Sequence, residues 1–165
     1  FYNEMNQTKI YQLEKSLWTD ADFEVMGWHD NPIHAISFDD DSKMSFDIDY
    51  IFECVLRKNK KYYDFWIAPC TLVFEHVYSI ALESDFLPLE IMDISKTIPE
   101  PSDNPVAAQS DVVYDWIIET TTGEILFKST GFKQYVRQIP ILINTQGIER
   151  NARGGISFSL DNITI

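Results

Sequence analysis

The stretch from Met44 to Cys54, MSFDIDYIFEC, decides the fold, because Met44, Phe46, Ile48, Tyr50, Phe52 and Cys54 alternate with Ser45, Asp47, Asp49, Ile51 and Glu53. A period of two is the mark of a strand with one apolar and one polar face. The pattern predicts that the first set faces the core and that Asp47 and Asp49 face water or a partner. Upstream, Ile33 to Phe38 reads as a first strand, and Asp39, Asp40, Asp41, Ser42 and Lys43 form the polar turn of an antiparallel hairpin. Three consecutive aspartates in such a turn read as a solvated loop, since the ligand spacing, glycine and terminal glutamate of a calcium loop are absent.

Downstream, Asn59 to Lys61 is the next polar break. Asp64 to Ala68 and Thr71 to Ala81 then read as two strands interrupted at Pro69, with a shorter one over Leu89 to Ile94. Thr97 to Gln109 contains three prolines and neither period, which predicts a long loop. Strands follow over Asp111 to Thr120, Glu124 to Ser129 and Phe132 to Gln138, the first two joined by the tight turn Thr121, Thr122, Gly123. Gly147 to Gly155 is polar and glycine-rich, and Ile156, Phe158 and Leu160 alternate in a final expected strand.

The amino-terminal region has a different period. Ile10, Leu13 and Leu17 recur at three and four residues, which predicts a short helix over Asn6 to Leu17. A second helical turn follows, capped by Thr19, with Asp20 and Asp22 at its positive end, Phe23 and Met26 facing inward, and Gly27 as its left-handed stop. The expected fold is mainly β: an antiparallel β-sandwich or barrel with one or two short N-terminal helices. The expected organisation is a single domain over residues 1–165, with a helical segment 1–27 and an antiparallel β core 33–165.

Charge narrows the function classes. Thirteen Lys and Arg stand against twenty-six Asp and Glu, a net charge of -13 in 165 residues, and the largest basic cluster is Arg57, Lys58, Lys60 and Lys61. Such a chain repels a nucleic-acid backbone, so no nucleic-acid partner is expected; a basic protein partner suits it better. The expected state is monomer or homodimer. No apolar run reaches the length of a membrane span, and the amino terminus lacks the regions of a signal peptide, so the expectation is a cytoplasmic protein with no membrane association. Whether a leader was removed before Phe1 stays open. Cys54 and Cys70 lie in apolar contexts without a neighbouring base or CxxC spacing, which predicts buried, unreactive thiols.

Two of the three histidines fall in the turn-rich segment Gly27, Trp28, His29, Asp30, Asn31, Pro32, Ile33, His34. His29, His34 and His76 together are a chemically adequate zinc ligand set, the basis of a metal-dependent hydrolase alternative, but their spacing is not diagnostic, and no metal or cofactor is assigned. Trp28, Tyr62, Tyr63 and Trp66 are the aromatic residues suited to a protein or sugar surface. The candidate binding residues are thus Trp28, His29, Asp30, His34, Trp66 and His76, and no residue is assigned a catalytic role. There is no Walker loop, dinucleotide fingerprint, nucleophile elbow or HExxH helix.

His29 and Asp30 followed by Ile33, the hairpin after them, the strand Leu72 to Phe74 and the late Gly-Glu-Ile-Leu-Phe segment from Gly123 to Phe127 together resemble small uncharacterised bacterial β-domains. Some similar domains are suspected immunity proteins of toxin systems. The resemblance implies binding and carries over no catalytic residue. The reading is an acidic binding protein, immunity-like or regulatory, acting by protein–protein interaction. A small-ligand or carbohydrate-binding β domain is the alternative.

Overall fold

The computed structural model describes residues 9–102 and 112–165, and over them the chain is mainly antiparallel β. Eleven strands occur among the described residues: β1 (Leu17–Thr19), β2 (Asn31–Phe38), β3 (Met44–Leu56), β4 (Tyr63–Glu75), β5 (Tyr78–Ser84), β6 (Leu89–Lys96), β7 (Glu100–Pro101), β8 (Val112–Thr120), β9 (Gly123–Ser129), β10 (Gly131–Val136) and β11 (Ile141–Ile143). The main path runs β1-β10-β4-β3-β2-β6-β8-β9-β5, with β11 added to β4 and β7 to β8, and the sheet does not close. The expected loop from Thr97 to Gln109 lies partly outside the described residues; within them, Glu100 and Pro101 pair with Val113 and Val112.

The β2–β3 hairpin forms as its alternation dictates, and Asp39 Oδ1 closes the turn by accepting from the backbone N–H groups of Asp41 and Lys43. Pro69 does not interrupt β4. The backbone N–H of Arg137 donates to the Pro69 carbonyl at 3.0 Å, so the proline nitrogen points to the same side. There β10 stops opposite Cys70 and β11 begins opposite Ile67, leaving a gap in the ladder where no donor is required.

The inner face curls around an aromatic core. Phe74 of β4 meets Phe127 of β9 at a ring-centroid distance of 4.7 Å and Trp116 of β8 at 5.1 Å, although several strands separate them along the path. Met44, Phe46, Ile48 and Tyr50 line this core as their alternation predicts. Cys54 does not. A bulge between Ile51 and Glu53 shifts the register by one residue, so Cys54 pairs with Phe65 and is exposed.

No helix spans residues 9–16. Of the three periodic residues only Leu13 is buried, while Ile10 is 71 % and Leu17 38 % exposed. Pairing wins over weak helical propensity: β1 docks on β10 with Leu17 opposite Tyr135, and Val136 N–H donates to the Ser16 carbonyl. The second helical turn is a short 3-10 helix over Asp20–Val25, closed by a capping box between Thr19 and Asp22. Hydrogen bonds from Lys15 and the Thr19 backbone hold the Asp22 carboxyl below its usual value. Phe23 packs against Trp28, Trp116 and Phe132. Gly27 is not left-handed; that conformation falls to Asp30, at φ 65°.

The largest departure from expectation concerns Asp47 and Asp49, which are fully buried. They do lie on the outer face of β3, but the carboxy-terminal segment 137–165 covers them. Arg153 donates from Nη2 to Asp47 Oδ1 at 2.6 Å, from Nη1 to Asp47 Oδ2 at 2.7 Å and from Nε to Asp49 Oδ1 at 2.9 Å. Arg137 adds 2.8 Å to Asp47, and His34 Nε2 lies 2.7 Å from Asp49 Oδ2. The expected strand over Ile156 to Leu160 joins no ladder, because its backbone is used elsewhere: Ser157 N–H donates to Asp47 Oδ2, and the Ser159 carbonyl accepts from Thr71 Oγ1.

Burial raises the pKa of the Asp47 carboxyl, but hydrogen bonds from Arg153, Arg137 and Ser157 outweigh it, and the net shift is downward. A depressed folded-state value stabilises fully above the unfolded carboxylate range, near about pH 4, and that contribution disappears as pH falls through the lower folded value. Asp47→Asn should therefore cost about 3–5 kcal/mol at neutral pH. In urea titrations between about pH 5 and pH 2 the variant should lose less further stability than the parent; parallel losses would contradict the assignment.

Candidate functional site

Among the described residues no such cover lies over the outer face of β6, β8, β9 and β5, and the register there assembles a second acidic feature. Asp93 lies opposite Glu119, Glu119 opposite Glu124, and Glu124 opposite Glu83. Directly paired residues share a face, so the four carboxylates form one row across four adjacent strands. The neighbouring pairs fix its direction: Ile94, Ile118 and Ile125 point into the core, leaving the acidic row to point out. All four residues are exposed, and no ion pair within the described residues neutralises any of them. Like charges placed directly opposite one another oppose folding.

An apolar element adjoins the row. β5 ends the strand path, and among the described residues only β9 pairs with it. Leu82, 50 % exposed, pairs with Ile125 and so lies on the other face of β5 from Glu83, but beyond the strand, at the end of the row, Phe86 and Leu87 are 70 % and 82 % exposed. The loop that presents them is fixed to the β8–β9 turn, since Phe86 N–H donates to Thr122 Oγ1 at 3.3 Å and Ser84 Oγ donates to the Phe86 carbonyl at 2.9 Å. An open depression of about 390 Å³ lies here, lined by Glu83, Asp85, Glu119 and Glu124 with Met92 and Thr122.

The residues singled out from sequence are dispersed. Trp28 is 3 % exposed, its ring edge-on to Phe132 and its Nε1–H donating to Gln134 Oε1 at 2.9 Å. It closes the core and offers no stacking face. His29 is exposed, with Nδ1 2.9 Å from the Met92 carbonyl. Asp30 accepts from Gln146 Nε2 at 2.7 Å and lies beside Glu90, whose carboxyl is raised by burial and by Asp30 while His29 opposes the shift. His34 belongs to the buried ion network. Trp66 is half-buried against Tyr11, at a centroid distance of 5.3 Å. His76 sits beyond the opposite end of β4, with Nδ1 2.8 Å from Thr130 Oγ1.

The structure therefore joins His29 and Asp30 on one rim but does not bring His29, His34 and His76 together. Among the described residues no group of three metal-ligating side chains forms. Neither thiol is activated. Cys70 is fully buried and raised by desolvation, and Cys54 is raised by desolvation and by Asp30 and Glu53. No helix among the described residues is long and apolar enough to cross a membrane.

The acidic row escapes sequence reading because its members lie far apart in the chain and meet only through strand register. The one local sign was Glu119 and Glu124, which flank the Thr121, Thr122, Gly123 turn at the spacing of a hairpin pair. No family model, curated protein or solved structure matches the chain.

Trp28 and His29 separate a structural from a surface role within two residues. Trp28→Ala should destabilise by about 3–5 kcal/mol, whereas His29→Ala should stay within about 0.5 kcal/mol of the parent. Chemical denaturation measures both; equal effects would contradict the placement of these side chains.

Proposed function

We propose that this is an acidic binding protein that acts by protein–protein contact and engages a basic partner, in an immunity-like or regulatory role. The observation that carries this reading is the uncompensated row Asp93, Glu119, Glu124 and Glu83, with the exposed apolar residues Phe86 and Leu87 in the loop that follows Glu83 at its β5 end. Four like charges held in register cost folding free energy when the protein is free. Lysines or arginines of a partner would relieve that repulsion, and the apolar edge would supply the contact area that charge alone does not.

The chemistry of the remaining residues supports binding over catalysis. Asp47 and Asp49 are consumed by arginines, the three imidazoles have separate partners, and the thiols are held protonated. Among the described residues no second strand pairs with β5 over Ala81 to Ser84, which allows strand addition there by a partner, a mode in which backbone hydrogen bonds supplement side-chain recognition.

Affinity capture from native lysate should retain a basic protein that salt releases, since a rim of charges is screened at high ionic strength. Glu119→Lys with Glu124→Lys should abolish retention, and Leu87→Asp should weaken it at any salt concentration. Capture that is indifferent to these substitutions would refute the site. Failure to retain any protein, together with a rise in melting temperature on adding a small ligand, would replace the reading with ligand binding.

A further inference from the structure

The β3–β4 hairpin concentrates the opposite charge. Arg57, Lys58, Lys60 and Lys61 are four of the thirteen cations of the chain, gathered in five residues. Several others are committed to partners: Lys15 to Asp22, Lys128 to Asp115, Lys133 to Glu75, and Arg137 and Arg153 to the buried aspartates. In the hairpin, Arg57 binds Asp64 through Nε at 2.6 Å, while Lys58, Lys60 and Lys61 make no ion pair within the described residues. The turn is well braced. Arg57 N–H donates to the Tyr62 carbonyl, Lys60 N–H to the Arg57 carbonyl, and Asn59 Oδ1 accepts from Lys61 and Tyr62.

This tip borders an open groove of about 600 Å³, lined by Arg57, Lys61, Tyr62, Tyr63 and Phe65 on one side and by Gln146 with its neighbours on the other. Its floor follows from the strand. Tyr63, Phe65 and Ile67 alternate on one face of β4, the face on which Thr71 Oγ1 donates to the Ser159 carbonyl, and Ile67 is fully buried there, whereas Tyr63 is 50 % exposed. The groove opens where that cover ends, so aromatic surface and cationic groups become available at the same place. Lys61 Nζ already lies 5.3 Å from the Tyr62 ring centroid.

We propose that this groove is a binding site for a small aromatic anion: a planar ring bearing a phosphate or carboxylate. The tyrosines and Phe65 offer faces for the ring and Lys61 offers charge to the anion, while Arg57, bound to Asp64 through Nε, keeps its Nη groups and Gln146, whose Nε2 donates to Asp30, keeps one further N–H. Size discriminates against polyanions. Screening acts over about 8 Å at physiological salt, so a small ligand responds mainly to the local cations, whereas a long polyanion also meets the surrounding acidic surface. This site is separate from the carboxylate row, and either can fail without the other.

Isothermal titration tests it with adenosine monophosphate, adenosine, inorganic phosphate and phenylacetate as separate probes. Adenosine monophosphate or phenylacetate should saturate, and their comparison identifies the preferred anion. The better of the two should bind about tenfold more tightly than adenosine or phosphate, because ring and charge are both needed. Lys61→Glu and Tyr62→Ala should each weaken that probe by about fivefold or more, with unchanged circular dichroism, while Glu124→Lys should leave it unaffected. Absence of saturable binding by both aromatic anions, equal binding of adenosine, or affinity unchanged in both hairpin variants would overturn the proposal.

Discussion

The guanidinium of Arg153, buried between Asp47 and Asp49, is the interaction on which the rest of the architecture depends. A strand that places two carboxylates beneath a covering layer is tenable only if cations and backbone donors enter with that layer, since unpaired buried charge carries a desolvation cost of several kcal/mol. The carboxy-terminal segment supplies them. It brings Arg153, Arg137 and the N–H groups of Ile148 and Ser157 to the two aspartates, and in doing so covers β3 and β4. A buried pair of this kind selects one docking position more than it adds stability, because the segment cannot slide without stranding a charge.

The same commitment determines what stays open. The covering segment reaches β3 and β4, while the outer face of β6, β8, β9 and β5 keeps its carboxylates in water. The hairpin beyond the cover keeps its lysines and tyrosines exposed. Charge is thus divided into three settings: neutralised in the buried network, repulsive in the acidic row, and cationic at the hairpin. The first maintains the fold. The other two stay exposed, and the proposed partner and the proposed small ligand are argued from their opposite signs.

Much of the sheet was legible because local alternation and turn chemistry agreed with the tertiary structure, as in Met44 to Tyr50 and in the Asp39 to Lys43 turn. Legibility failed where a distant segment made the decision. Asp47 and Asp49 look solvent-facing by period, and nothing nearby indicates that Arg153 will cover them. Cys54 changes face through a bulge that apolar spacing does not mark. Residues 9–16 carry a weak helical period that is overridden by the docking of β1 and the burial of Leu13. Pro69 reads as a break because its gap between β10 and β11 is a property of neighbouring strands. The site was the least legible part: His29 and Asp30 attract notice by type, whereas Glu83, Asp93, Glu119 and Glu124 are individually ordinary and become a feature only in register.

If the row is held in electrostatic repulsion in the free protein, thermal unfolding of Glu119→Gln/Glu124→Gln against the parent reveals it without any partner. At low ionic strength the double variant should melt about 2–4 °C higher, and the difference should shrink as salt screens the parent. A variant that melts at or below the parent temperature at low salt would contradict the account.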